Sequence, residues 1–241
     1  GGLSYPGVGR EGGDIGEFIA AFETVAFFDL SLTTKMGVQF GLFGGSIFFL
    51  GTNEQRQRYL KDVASLDLPG CFAMTESGHG SNVQGLETTA TWCQKSQTFD
   101  VHTPTPSATK DYIGNAAAHG RLATVYAQLW VAGQNHGVHA ILVPIRDENA
   151  VPMPGVRIED CGHKLGLNGV DNGKISFDHV HVPRQSLLGR FGHVEEDGTY
   201  TSDIPSASRR FFTMLGTLVA GRISVALAGI SASKVALTSA I

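Results

Sequence analysis

The sequence predicts an α+β protein in which helices come first, a β part follows, and a helix closes the chain, and three changes of texture along the 241 residues predict it. Residues 16–66 repeat apolar side chains at helical spacing, and residues 68–188 break into short β-branched and aromatic runs between Gly, Pro and Asn turns. Residues 211–241 return to a long helical run of small and apolar residues. The same changes set the expected divisions: a helical domain over 1–67, a β domain over 68–190, and a connector with the first helix of a further helical domain over 191–241.

In the first part, Phe18, Ile19, Phe22, Val25 and Ala26 share one helix face, and Phe40, Phe43, Ile47 and Leu50 another. The apolar stretch Met36–Leu50 contains Gln39 and four glycines and is shorter than the roughly 20 residues of a membrane span, so it reads as a buried helix. Thr52 followed by Gln55 is a capping-box pattern that opens another helix.

In the second part, QTFDVHT, RLATVYAQLWV, VHAILVPI, GVRIED and GKISFDHVHVP read as strands of a compact antiparallel sheet or barrel. The polar connector GHVEEDGTYTSDIPSASRR then leads into the last helix, whose apolar surface all round requires a bundle to pack in. That pattern is still running at Ile241, so the chain is expected to be a piece of a longer protein.

A formal net charge of −4 argues against a nucleic-acid surface, which is normally basic. Cys71, Cys93 and Cys161 have no CxxC or Cys/His ligand spacing, which predicts reduced thiols and no metal. His179 and His181 form an HxH on one strand face without a third ligand nearby in sequence. No signal peptide opens the chain, so a cytoplasmic protein with no membrane span is expected.

The chemistry is carried by CFAMTESGHGSNVQG, residues 71–85, a turn-rich loop with hydroxyls behind a short apolar run. Amides of such a turn can converge on a phosphate, but neither a Walker A loop nor a Rossmann setting is present. From the residues alone, a phosphate cradle and a plain connecting turn both remain open.

FAMTESGHGSN resembles the FAMTE-GHGS signature of acyl-CoA oxidases, itself a variant of the TEP-AGSD loop of acyl-CoA dehydrogenases. The resemblance continues in family order through TPSATKDYIGNAAAHG, GVHAILVPIRD, DCGHKLGLNGVDNGKISFDHVHVPR and RRFFTMLGTLVAGRIS. It implies the fold of that superfamily: a helical N-terminal domain, an antiparallel β-barrel middle domain, and a C-terminal helical bundle of which only the start is present.

It also implies FAD-dependent oxidation of acyl-CoA to trans-2-enoyl-CoA, a carboxylate taking the α proton while the β hydrogen leaves as hydride to the flavin. By the same resemblance Thr75 contacts the pyrimidine edge of the flavin, and Gly80 and Ser81 lie by its ribityl and pyrophosphate groups. Ser81 and Arg222 are the substrate-side candidates, although Arg222 reads equally as a bridge between bundle helices. Tyr112, Gly114 and Asn115 of DYIGN are the remaining cofactor candidates.

Gly114 stands where dehydrogenases carry a Thr. The implied consequence is room for O2 beside the flavin, giving H2O2 as product, while a strand bulge is the plain alternative. An electron-transfer flavoprotein as acceptor, or a non-catalytic fragment needing a partner chain, are the competing readings. Arg209 and Arg210 are expected to be solvated unless they meet CoA phosphates, and His79 to satisfy its own turn or to polarise a ligand. Glu76, Glu87 and Asp171 do not match the family's base motif, which is expected beyond Ile241. A homo-oligomer, or a complementary C-terminal half, is the expected partner, in a bacterial cytoplasm or, in a eukaryote, a peroxisome.

Overall fold

The computed structural model describes residues 15–216 and 219–241. Its helical part opens with α1 (Ile15–Ala26) and α2 (Leu30–Met36). Asp29 starts α2 by accepting the Leu32 N–H at 2.9 Å. From α2 the chain continues unbroken through a π-helical stretch, Gly37–Gly44, into α3 (Gly45–Leu50). The expected single buried helix over 36–50 is therefore part of a rod whose winding changes, as π segments often do beside functional sites.

α4 (Asn53–Ser65) begins with the expected capping box: Gln55 N–H donates to Thr52 Oγ1 at 3.3 Å and Thr52 N–H to Gln55 Oε1 at 2.9 Å. The Gln55 amide also donates to the carbonyls of Gln185 and Leu187, each at 2.8 Å. One side chain thus caps a helix and joins it to the β part.

The β part contains β1 (Gly70–Ala73), β2 (Thr89–Cys93), β3 (Thr98–His102), β4 (Lys110–Ile113), β5 (Leu122–Val131), β6 (Gln134–Pro144), β7 (Val156–Asp160), β8 (Gly173–Phe177) and β9 (Val180–Pro183). β5 is central and almost wholly buried, which explains its continuous apolar run. β6 runs antiparallel along one of its edges, β1 and β2 pair with successive parts of the other, and β3 and β9 continue outward from β2. β4, β8 and β7 form a separate antiparallel sheet.

The expected helix–sheet–helix order stands, but the sheet is mixed rather than wholly antiparallel, because β1 and β2 both run parallel to β5. A parallel pair needs a long crossover, and the chain between these strands supplies it.

Phe99, Val101, Ala123, Val125, Ile175 and Phe177 fill the interior between the sheets. A second cluster, including Phe43, Ile47, Leu60, Met74 and Tyr126, joins the helices to the large sheet. A Cβ on Gly70 would stand 2.1 Å from the Phe43 ring, so this junction requires glycine at the start of β1.

After β10 (His193–Val194) and β11 (Tyr200–Thr201) come α5 (Ala207–Leu215), with Ser206 as N-cap, and α6 (Val219–Ala240). α6 packs on α1 through Ala228, Phe22 and Ala26 and leaves Val225, Ile230 and Leu237 exposed. Its Gly221–Ala240 portion is long and apolar enough to cross a membrane by length and composition alone.

Arg210 corrects the expectation of a solvated pair. It is buried, donates to the carbonyls of Ile204 (2.7 Å) and His136 (2.5 Å), and its guanidinium lies 5.3 Å from the Tyr200 ring centre.

Beneath it, His139 Nε2 pairs with the Tyr200 hydroxyl at 2.8 Å. Burial pushes this imidazole down to about 4, the Gly137 carbonyl opposing and the Arg210 and His136 charges assisting. Below pH 6.5 the unfolded chain therefore takes up a proton that the native state refuses, so stability falls with pH down to about 4. Unfolding free energies from denaturant titrations at pH 7.5 and 4.5 are expected to differ by roughly 2–3 kcal/mol, and His139→Gln to remove most of that difference.

Candidate active site

A cleft of about 940 Å³ opens where the helical part meets the end of β1. Thr34, Val38 and Leu42 line its helical side, Phe72, Met74 and Thr75 its β1 side, and Gly80 and Ser81 one end. Tyr112, Ile113 and Gly114 form the adjoining wall, the 164–167 loop with Asn172 another, and Arg222 of α6 stands at the rim.

Thr75 is anchored to the segment that carries Tyr112. Its hydroxyl donates to the Asp111 carbonyl at 3.0 Å, and the Asp111 N–H donates to the Thr75 carbonyl at 3.1 Å. With its proton committed there, the Thr75 oxygen keeps only acceptor capacity for anything in the cleft.

Tyr112 is turned out by a bulge between Lys110 and Ile113, both of which stay buried. It holds φ = +59°, is 60% exposed, and is fixed by N–H donation to Asp111 Oδ1 (2.8 Å) and by Asn172 Nδ2 donating to its carbonyl (2.9 Å). A bulky residue in the left-handed region costs about 1–3 kcal/mol, and such strain concentrates at binding sites.

Gly114 is demanded by packing. A Cβ there would meet Val38 Cγ2 at 2.8 Å, so the methyl groups of the π segment already occupy the side-chain volume. Space for a small molecule beside this residue therefore lies on its cleft face. Gly80 is different, since a Cβ there would touch nothing within 4 Å. The exposed Ser81 hydroxyl makes no hydrogen bond to another described residue.

Asn115 does not line the cleft, against the expectation of a cofactor contact. Its buried Nδ2 donates to the Gly70 carbonyl at 3.0 Å, and its φ of +65° turns the chain behind the wall. The motif fixed its position but not the direction of its side chain.

Arg222 forms no ion pair among the described residues, so it does not bridge helices there. It borders both the cleft and a second, mostly apolar cavity of about 530 Å³ between α1, the π segment and α6. The two cavities share Thr34, Val38, Leu42 and Arg222 as common walls.

Asp171 braces the lower edge. It pairs with Lys35 of α2 and accepts the Ala118 and His119 N–H groups, each at 3.0 Å. Burial alone would push its pKa up, but these donors prevail and hold the carboxyl at about 2.

Among the described residues, neither Asp171 nor any other Asp or Glu lines the cleft. His79 faces Glu87 at 3.9 Å outside it. His179 bonds Asp100 at 2.8 Å and stacks on His102 with ring planes 13° apart, so one ion cannot lie in both ring planes. His181 approaches Thr98 instead.

Residues that sequence reasoning missed are Thr34, Val38 and Leu42. No chemical signature marks them; the glycine-rich helix was the only available signal.

The donor-rich turn, the outward Tyr112 and the acceptor at Thr75 suit a planar, amide-edged group with a phosphate tail, which is the chemistry of FAD. The apolar annex suits a hydrocarbon chain.

Residues 71–180 match the family described as acyl-CoA dehydrogenase, middle domain, and residues 2–67 match acyl-CoA dehydrogenase, N-terminal domain. Peroxisomal acyl-coenzyme A oxidase 2 of Arabidopsis thaliana is 50% identical over 232 residues, which is 93% of this chain and 34% of that protein. Peroxisomal acyl-coenzyme A oxidase 3 of Homo sapiens is 39% identical over 92% of this chain and 32% of its own length.

Among solved structures, acyl-CoA oxidase 1 from Yarrowia lipolytica matches with a TM-score of 0.80 and 36% identity, over 91% of this chain and 34% of that one. Acyl-CoA oxidase-2 of Caenorhabditis elegans, bound with FAD, ascaroside-CoA and ATP, matches with a TM-score of 0.70 and 36% identity, over 75% and 27%. The chain spans about a third of the length of the curated relatives it matches.

Proposed function

The chain belongs to the acyl-CoA dehydrogenase family, and from that premise we propose that it forms the flavin- and thioester-facing part of an FAD-dependent acyl-CoA oxidase. The reaction is oxidation of acyl-CoA to trans-2-enoyl-CoA with O2 as acceptor and H2O2 as product. FAD bound in this cleft would supply the hydride acceptor for the β hydrogen. The observation that carries this reading is the hydrogen-bonded union of Thr75 with Asp111, which sets the two motif segments side by side along one cleft.

In this reading Thr75 presents its oxygen and backbone to the pyrimidine edge, and Tyr112 and Gly114 hold the ring face. Gly80 and Ser81 supply unobstructed donors for the ribityl and pyrophosphate groups, and Ser81 also lies near the substrate. Arg222 offers its guanidinium to the acyl-CoA where cleft and annex meet. The α-proton base is a carboxylate from outside the described lining residues, which contain none. That same observation favours a second reading, in which a separate C-terminal half completes the site.

FAD titration of the apoprotein tests the assignment: Thr75→Val is expected to weaken binding about tenfold, a loss of roughly 1.4 kcal/mol. Unchanged affinity removes Thr75 from the site.

The annex is assigned to the acyl tail. A Cβ on Gly41 would reach to 3.3 Å from the Phe18 ring, and one on Gly37 to 3.0 Å from Phe22. Gly41→Leu is therefore expected to displace about three methylenes of a long chain. At about 0.8 kcal/mol each, kcat/KM for long acyl-CoA should fall roughly fiftyfold while short substrates are spared. A uniform fall across chain lengths removes the annex from the tail path.

The peroxisomal relatives support a peroxisomal location in place of a bacterial cytoplasm. A homo-oligomer, and the division into parts at 1–67, 68–190 and 191–241, belong to the same proposal.

A further inference from the structure

We infer that the buried Glu76–Lys110 pair is a positioning device for the ligand-facing wall, fixing the spacing of the segments that carry Thr75 and Tyr112 without touching the ligand. The inference rests on the FAD reading above for what the wall holds. Glu76 follows Thr75 directly, and Lys110 stands two residues before Tyr112. Both Glu76 and Lys110 are excluded from the cleft lining, and both side chains are 0% exposed.

The pair is completely satisfied. Lys110 Nζ donates to Glu76 Oε1 at 3.0 Å, to the Met74 carbonyl at 3.1 Å and to the Tyr126 carbonyl at 2.6 Å, which uses all its protons. Glu76 Oε1 also accepts the Thr88 N–H (2.9 Å) and hydroxyl (2.6 Å), and Oε2 accepts the Glu87 N–H (2.7 Å). One ionic node therefore ties the end of β1, the 86–88 loop, β4 and β5 together.

Stability alone does not account for such a node, since well-packed apolar residues often replace a buried ion pair without loss. Directed bonds to four segments do what apolar packing does not: they fix distances. On the other side of the same residues lie the two Thr75–Asp111 hydrogen bonds and the Ser77 N–H donating to Thr109 at 2.9 Å. Both β-type bonds hold only while the two segments keep their spacing.

The test uses the protein with its full native polypeptide and two near-isosteric variants, Thr88→Val, which removes one donor to Glu76, and Glu76→Gln, which removes the charge. Amide hydrogen exchange in the apoprotein is expected to accelerate about tenfold at Ser77 and Asp111, relative to β5 amides. FAD is expected to bind roughly three- to tenfold more weakly, with an altered visible flavin band. Failure of the unsubstituted protein to bind FAD sinks the functional reading, while the exchange measurement still reports on the wall.

Wild-type FAD affinity and flavin band in Thr88→Val overturn the inference. Accelerated exchange with unchanged affinity does so too, by reducing the pair to a structural one. If Glu76→Gln does not fold, Thr88→Val decides by itself.

Discussion

Substituting Gly114 with Thr is expected to destabilise the protein by about 1–3 kcal/mol and to slow reoxidation of the reduced flavin by air at least tenfold. The added Cβ would lie 2.8 Å from Val38 Cγ2 and 3.4 Å from Cγ1. Val38 is buried, and a β-branched side chain on a helix has little rotamer freedom with which to yield. The π segment must therefore shift, or the new side chain must lean into the cleft where a small oxidant would approach.

A second substitution separates these effects. Val38→Ala in the Gly114→Thr background relieves the overlap, so thermal stability should largely return while reoxidation stays slow. Reoxidation at the wild-type rate in the double variant would exclude the cleft face of residue 114 as the route of O2.

Removing Lys110 alone is the second large effect. Lys110→Met leaves the Glu76 carboxylate buried with its Thr88 and Glu87 donors but no cation, a loss of about 3–5 kcal/mol. Lys110→Met combined with Glu76→Leu removes both charges and should recover most of that loss. Burial lowers the Lys110 ammonium to about 8 against the opposing pull of Glu76, so the native pair is held by its bonds and not by solvent. Equilibrium denaturation of the single and double variants checks the difference; equal losses in both would mean that the site cannot repack without the pair.

Much of this architecture is legible in the chain. Helical spacing at Phe22, Phe43 and Ile47 marks the helices, and Thr52 with Gln55 marks a helix start. The two motif segments can be recognised separately, and only their juxtaposition needed the fold.

The rest depends on long-range contacts that local pattern does not encode. Val38 against Gly114 is one, and the parallel pairing of β1 with β5 is another. A Lys in a short strand reads as a solvated residue, yet Lys110 is wholly buried because its partners arrive from two other segments, the end of β1 and β5. Arg210 is the same case at the start of α5. Asn115 shows the limit of motif reading, for its turn conformation sends the amide to β1 and away from the cleft.

The most direct test of the central claim is the yield of H2O2 when the FAD-loaded protein, with its full native polypeptide, turns over a straight-chain acyl-CoA in air with no other electron acceptor. The account predicts one H2O2 for each trans-2-enoyl-CoA formed. Flavin that is bleached by acyl-CoA under nitrogen and stays bleached after air is admitted, with no peroxide, would contradict it.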